Sequence, residues 1–288
     1  MYMLPRDYVF ISTSTGSRPQ DFESLIKSFC NLNKNEFINP ILYIYDQNPI
    51  SNKELIKKYK SSDADIRVIT SSNGIVPLSY ARNQLINLID DGIVIFSDDD
   101  ATYPKNFLID LDKDLRGISD FKLGYFKLLN MNNKSTYGNR RYPKKTGVVS
   151  RLTAISGCIS LNIAISAVLL KNLDGFDERL GVGSLLSCGE ETDLILRALD
   201  QRINCYFLSS PFSFHPPFIW SDVTVEKIFS YSNAYRKMLF LNKRSLSLGF
   251  ILSGHFSFMV LRSLLGFFLK PREFKQRLAK LKGLLWIC

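Results

Sequence analysis

The run Ser97-Asp98-Asp99-Asp100 directly follows the apolar stretch Ile93-Val94-Ile95-Phe96. Three adjacent carboxylates at the end of a buried strand repel one another, and burial pushes their pKa values up. A divalent cation removes that conflict, and hard oxygen ligands suit Mg²⁺ or Mn²⁺. Side chains alternate along a strand, so Asp98 and Asp100 leave on the same side. A cation held by only two carboxylates keeps open positions that a diphosphate can fill. The plainer alternative is a solvated acidic turn, since Asp is common in turns.

Such a triplet needs a scaffold, and the first half of the chain reads as one. Tyr8 to Ser12, Pro40 to Tyr45, Ile66 to Ile69 and Ile93 to Phe96 are short apolar runs that predict strands. Between them, Asp21 to Cys30 carries Phe22, Leu25, Ile26 and Phe29 on one helical face. Asn52 to Lys60 and Ser79 to Ile89 predict two more helices. Strands alternating with helices imply βαβ units and a parallel sheet covered on both faces. Ligands of such sheets bind beyond the carboxyl ends of the strands, where Thr13, Asp46 and Asp98 sit. Further on, Asn132 to Ser150 is polar and basic and is expected to be a mobile loop near the site. Glu190 to Asp200 predicts a helix with Glu190, Glu191 and Asp193 in its first turn, where the helix dipole favours carboxylates.

The chain has 288 residues, 45% hydrophobic and 22% charged, which is the composition of a globular protein. Its five cysteines are odd in number and none has CxxC spacing, so neither a zinc site nor a disulfide framework follows. Cys188 reads as a small packing residue, with no histidine near it in sequence. The first residues lack the basic start and long apolar stretch of a signal peptide, which points to a reducing, cytoplasmic location. The net charge of +10 is concentrated: residues 236–288 hold eleven Lys or Arg and one Glu, so residues 1–235 sum to zero. The division expected is therefore a catalytic domain over 1–235 and a basic, apolar helical tail over 236–288. In the tail, the uncharged run from Ser245 to Leu261 lies at the lower edge of the roughly 20 residues that span a bilayer. After Pro271, Phe274, Leu278, Leu281 and Leu285 form a stripe with Lys275, Lys280 and Lys282 beside it. That is the pattern of a helix lying in an anionic membrane interface, the alternative being a lid packed on the main domain.

Several blocks together resemble the bacterial family 2 glycosyltransferases. They are Tyr45-Asp46-Gln47, Ser79-Tyr80-Ala81-Arg82-Asn83, the aspartate triplet continuing through Ala101-Thr102-Tyr103-Pro104, the block from Asp174 to Gly181, and Gly189-Glu190-Glu191-Thr192-Asp193-Leu194 followed by Arg197. The resemblance covers roughly residues 8–216. It implies a GT-A fold, Rossmann-like with a mostly parallel sheet and helices on both faces, here joined to the membrane-associating tail. It also implies a nucleotide-sugar donor, Mn²⁺ or Mg²⁺, and transfer of a sugar to a hydroxyl with inversion.

The resemblance gives each residue a role. Thr13 and Asp46 fall where the family holds the nucleoside, and Arg82 where it can pair with the diphosphate or stand exposed on its helix. Asp98 and Asp99 fall to ribose or metal, Asp100 to metal, and His215 is the late histidine that such folds often offer the metal. The family usually has Glu-Asp at the catalytic helix with an Arg six residues after the Asp. Counting back from Arg197 makes Glu191 the general base, with Glu190 and Asp193 as alternatives. A base is needed because a hydroxyl is a poor nucleophile until its proton leaves. The acceptor implied is a surface glycan or a lipid-linked sugar, and the place of work the inner face of the cell membrane. The rival readings are a nucleotidyltransferase, for which Ser14-Thr15-Gly16-Ser17-Arg18 is a poor phosphate loop, and a nucleic-acid binder using the tail. The latter would need aromatics interleaved with the basic residues. Phe274 and Trp286 instead lie on or near an aliphatic stripe, so no nucleic-acid partner is expected. An inactive scaffold subunit of the same fold is disfavoured by the intact acidic set.

Overall fold

A computed structural model describes residues 6–60, 64–217, 223–241 and 274–285, together with 256, 257, 259–261, 263 and 264. The first strands are β1 (Arg6–Ser14), β2 (Ile38–Asp46), β3 (Asp65–Thr70) and β4 (Ile93–Ser97), with helices α1 (Pro19–Cys30), α2 (Pro49–Lys60) and α3 (Leu78–Ile86) between them. These match the sequence expectation to within a few residues. Next come α4 (Phe107–Arg116), β5 (Leu123–Asn130), β6 (Gly147–Val148), α5 (Arg151–Gly157), β7 (Ile163–Ser166) and α6 (Ala167–Asn172). Then follow α7 (Glu190–Asp200), β8 (Cys205–His215), α8 (Val225–Leu241) and α9 (Phe274–Leu285).

One eight-stranded sheet runs in the order β3-β2-β1-β4-β7-β5-β8-β6. Four of the seven pairings are parallel, as expected, but β7 runs antiparallel to both β4 and β5, and β6 antiparallel to β8. Alternation along each strand divides the core between the two faces. Tyr8 and Phe10 of β1 join Phe22, Leu25 and Ile26 of α1 and Leu108 and Leu111 of α4. Val9 and Ile11 point the other way, to Ala81 and Leu85 of α3 and to Leu194 and Ala198 of α7. The carboxyl ends of β1, β2 and β4 thus share one edge of the sheet, and the long strand β8 ends beside them.

The segment from Asn132 to Ser150 holds a single 3₁₀ turn (Tyr137–Asn139) and the edge strand β6. Tyr137 places its ring 5.0 Å from His215, edge to face, so this segment reaches the triplet.

The helices after residue 223 make one packed pair. α8 runs through the expected division at residue 235 and sets Met238 and Leu239 into the main core. α9 docks on α8 through Ala279, Gly283 and Leu284. A Cβ on Gly283 would stand 2.6 Å from the Phe229 carbonyl oxygen, so only a glycine permits this approach. The buried face of α9 is therefore not the stripe read from the sequence, of which Phe274 and Leu285 are exposed and Leu278 and Leu281 half-buried. The apolar run 245–261 lies largely outside the described residues, as do His255, Arg262, Pro271 and Trp286. Among the described residues no helix is long and apolar enough to cross a membrane.

Candidate active site

Arg82 is the hub. It lies on the first turns of α3, only 2% exposed, with its guanidinium carbon 5.7 Å from the Phe96 ring centre and 5.3 Å from that of Phe176. Nη2 donates to Oδ1 of Asp98 at 3.0 Å. Nη1 stands 3.8 Å from a carboxylate oxygen of Glu190 and of Glu191 and is buried without a hydrogen-bond partner. One buried cation thus joins the end of β4 to the start of α7. It is not the exposed helix arginine that the sequence left open.

At the end of β4 the three aspartates part company. Asp98 keeps about a third of its side chain (34%) in solvent. Burial still pushes its pKa up, and Arg82 holds it back. Burial raises Asp99 to about 6 in spite of the Arg18 charge. For Asp100 burial pushes the same way, but contact with His215 and the Arg18 charge outweigh it and hold the carboxyl below its usual range. His215, at the last position of β8, brings Nε2 to 3.1 Å from Oδ1 of Asp100. Burial works against its imidazolium, but the Asp100 contact, the Asp98 charge and the Pro216 carbonyl prevail, so its pKa is raised. Nδ1 lies 2.7 Å from the Pro216 carbonyl oxygen, to which it donates, and this directs Nε2 at the aspartates.

These residues fit a divalent cation. One ligand atom each from Asp98, Asp100 and His215 lies within 4.8 Å of the others. Oδ1 of Asp100 is buried with no hydrogen bond of its own. Two carboxylates and one imidazole suit Mn²⁺ or Mg²⁺ and leave coordination positions open.

The sequence reading passed over Arg18 as part of a poor phosphate loop. It stands just ahead of α1, and its guanidinium forks onto Oδ1 of Asp99 and Oδ2 of Asp100. No local pattern could have found this contact, because the partners lie more than eighty residues apart in sequence.

On the far side of Arg82, Gly189 caps α7 in the left-handed region (φ 98°). A Cβ there would be strained and would stand 3.3 Å from Met238 of α8. The turn delivers Glu190 into the interior, 4% exposed with Oε2 lacking any hydrogen bond. Burial and the neighbouring Glu191 push Glu190 up to about 8, against the pull of Arg82. Glu191 keeps a fifth of its side chain in solvent. Asp193 turns away and pairs with Nε of Arg197 at 2.7 Å. Arg197 also donates to the carbonyls of Leu173 and Gly175 and so pins the turn ahead of Phe176. Asn83 grips the same turn from α3: it donates to the Phe176 carbonyl and accepts from the Phe176 N–H, both at 2.9 Å.

Toward the nucleoside end, Thr13 is half-buried near the end of β1, in register with Tyr45. Asp46 is 2% exposed, and its Oδ1 accepts from the Asn48 N–H at 3.1 Å and from Asn52 at 2.7 Å. Half of that carboxylate therefore shapes the turn into α2. The structure thus brings Asp98, Asp99, Asp100, His215, Arg82, Glu190 and Glu191 into one site and ties Asp193 to a supporting turn.

No family model and no curated protein matches the chain. Solved structures do. S. aureus TarS 1–349 superposes with a TM-score of 0.66 at 17% identity, over 97% of this chain and 80% of that one. The same protein in complex with UDP-GlcNAc gives 0.62 at 18%, again over 97% and 80%. The chain has the GT-A fold. A longer TarS structure matches over 81% of this chain and 39% of its own, with a TM-score of 0.60 at 16% identity, so the present chain spans less than half of that protein.

Proposed function

We propose that this protein is a glycosyltransferase of the family 2 kind, moving a sugar from a UDP- or dTDP-linked donor to a hydroxyl with inversion. The observation that carries the reading is the meeting of Asp98, Asp100 and His215 at the strand ends, with Glu191 across Arg82. A fold shared with a protein crystallised with UDP-GlcNAc and with UDP supports the choice of donor. In this reading Thr13 and Asp46 hold the nucleoside, and Asp98 and Asp99 hold the ribose or share the cation. Asp98, Asp100 and His215 are the ligands of Mn²⁺ or Mg²⁺. When bound, the cation supplies charge stabilisation for the leaving diphosphate. Glu191 takes the acceptor's proton: it alone of the three acids in the first turn of α7 combines access to solvent with a place beside Arg82. Glu190 is closed off from solvent, and Asp193 is taken up by Arg197.

The acceptor in this reading is a surface glycan or lipid-linked sugar at the inner face of the membrane. Support comes from the charge of the tail and from the outward Phe274 and Leu285 of α9. Replacing exposed Lys275 and Lys282 by Gln should weaken binding to anionic vesicles by about 1 kcal/mol each. Unchanged vesicle binding would leave the helix pair as packing only.

The central test is thermal stability with UDP- and dTDP-sugars, each with and without Mn²⁺. A matched donor should raise the melting temperature only when the cation is present. No shift with any donor would overturn the reading.

A further inference from the structure

We propose that Arg18 is a positioning residue for the cation site, holding the Asp99 and Asp100 carboxylates so that one oxygen of Asp100 is turned toward His215 and Asp98. The proposal rests on the cation-binding reading of that group.

The two oxygens of Asp100 have separate tasks. Oδ2 takes Nη1 of Arg18, while Oδ1 lies 3.1 Å from Nε2 of His215, buried and without a hydrogen bond. A carboxylate held this way can offer a cation one oxygen and not two. The second arm of the fork, Nη2 on Oδ1 of Asp99, fixes the plane of the guanidinium. The burial differs across the contact: each aspartate side chain is 6% exposed and the arginine 46%. Arg18 therefore closes the outer side of the triplet and leaves the Asp98–His215 side alone. A planar fork is required here. Lysine offers a single point of charge and cannot hold two carboxylates at a fixed angle. Outer partners of metal-binding carboxylates characteristically set ligand direction in this manner.

A guanidinium on a carboxylate could instead be a stand-in for the cation, displaced when the cation arrives. The two roles have opposite signs. A clamp makes the site bind a cation more tightly, and a stand-in makes it bind more weakly.

The test is Mn²⁺ titration of the full chain without nucleotide, read by electron paramagnetic resonance of free Mn²⁺, beside a cation-free melting temperature. Arg18→Gln should lower Mn²⁺ affinity by roughly 10- to 100-fold, and Arg18→Lys should fail to restore it. Unchanged or tighter binding by Arg18→Gln would overturn the clamp. If that variant does not fold, Asp99→Ala decides, because it removes the acceptor of one arm of the fork and leaves Asp100. Its affinity should fall several-fold, and an unchanged affinity would overturn the proposal. A wild-type protein that binds no Mn²⁺ removes the cation reading itself. That result is distinct from wild-type binding which the Arg18 and Asp99 substitutions leave untouched.

Discussion

The two terminal nitrogens of Arg82 face two groups of acids, and the protein quiets those groups by different means. At the end of β4, Asp98, Asp99 and Asp100 are matched with cations: Arg82, Arg18 and His215. At the start of α7, Glu190 is buried with its pKa raised, Glu191 keeps some access to water, and Asp193 pairs with Arg197. The first arrangement keeps its carboxylates where another cation can join their partners. The second leaves one partly exposed carboxylate beside Arg82. Both places are built from carboxylates, and they differ in counter-charge and burial.

The contrast breaks most sharply at Glu191. Glu191→Gln should keep donor affinity and lose turnover by on the order of 10²–10⁴-fold, while Glu190→Gln should retain most of it. Steady-state kinetics decide: a dead Glu190→Gln beside an active Glu191→Gln would exchange the two roles. The cation side is tested by Asp100→Asn. Mn²⁺ affinity should fall by more than the roughly 10- to 100-fold that loss of an outer partner costs, and nucleotide binding should lose its dependence on Mn²⁺. Unchanged Mn²⁺ titrations would return the triplet to a plain acidic turn.

Glu190 gives a pH signature that reaches higher than that of Asp99. Its folded-state pKa stands above its unfolded one, so the stability it contributes is complete below about 4.5 and is lost as pH rises toward about 8. The slope is roughly 1.4 kcal/mol for each pH unit inside that window. Urea unfolding at pH 5.5 and 7.5 should show a steeper loss of stability in the wild type than in Glu190→Gln, which keeps the contributions of Asp99 and His215. An equal slope in both would place the titrating group elsewhere. The smallest effect concerns Asp193. Asp193→Ala leaves Arg197 without its carboxylate and should cost about 1–3 kcal/mol of stability with little change in the pH profile of turnover. A shifted profile would bring Asp193 back among the reacting groups.

Much of this was legible in the residues, and unevenly. β1, β2 and β4 are apolar runs and α1 between the first two is amphipathic, so period alone places them, while the edge strand β3 is short and half-exposed. β7 is a four-residue apolar run, and nothing in Ile163-Ala164-Ile165 states a direction; its antiparallel course is set by its two neighbours in the sheet. Asp98, Asp100 and His215 were legible as a set through the resemblance. Arg18 was not, since an arginine after a serine-rich turn looks solvated until the distant triplet folds onto it. Nor was the burial of Glu190, because what surrounds it, Arg82 of α3 and the backbone at Gly181, comes from distant parts of the sequence. The stripe of α9 was read as its working face, whereas the small residues Ala279 and Gly283 make the packed one.

His215 belongs to β8, the last strand in sequence, whereas Arg18 and the three aspartates come from the first half. As the chain leaves the ribosome, β1 to β4 can pair and Arg18 can meet Asp99 and Asp100 long before His215 has been made. The cation group stays one ligand short until β8 docks between β5 and β6. Its completion is therefore a clock for the late stage of folding, and Mn²⁺ capture by a refolding sample would time the moment at which the last strand enters the sheet.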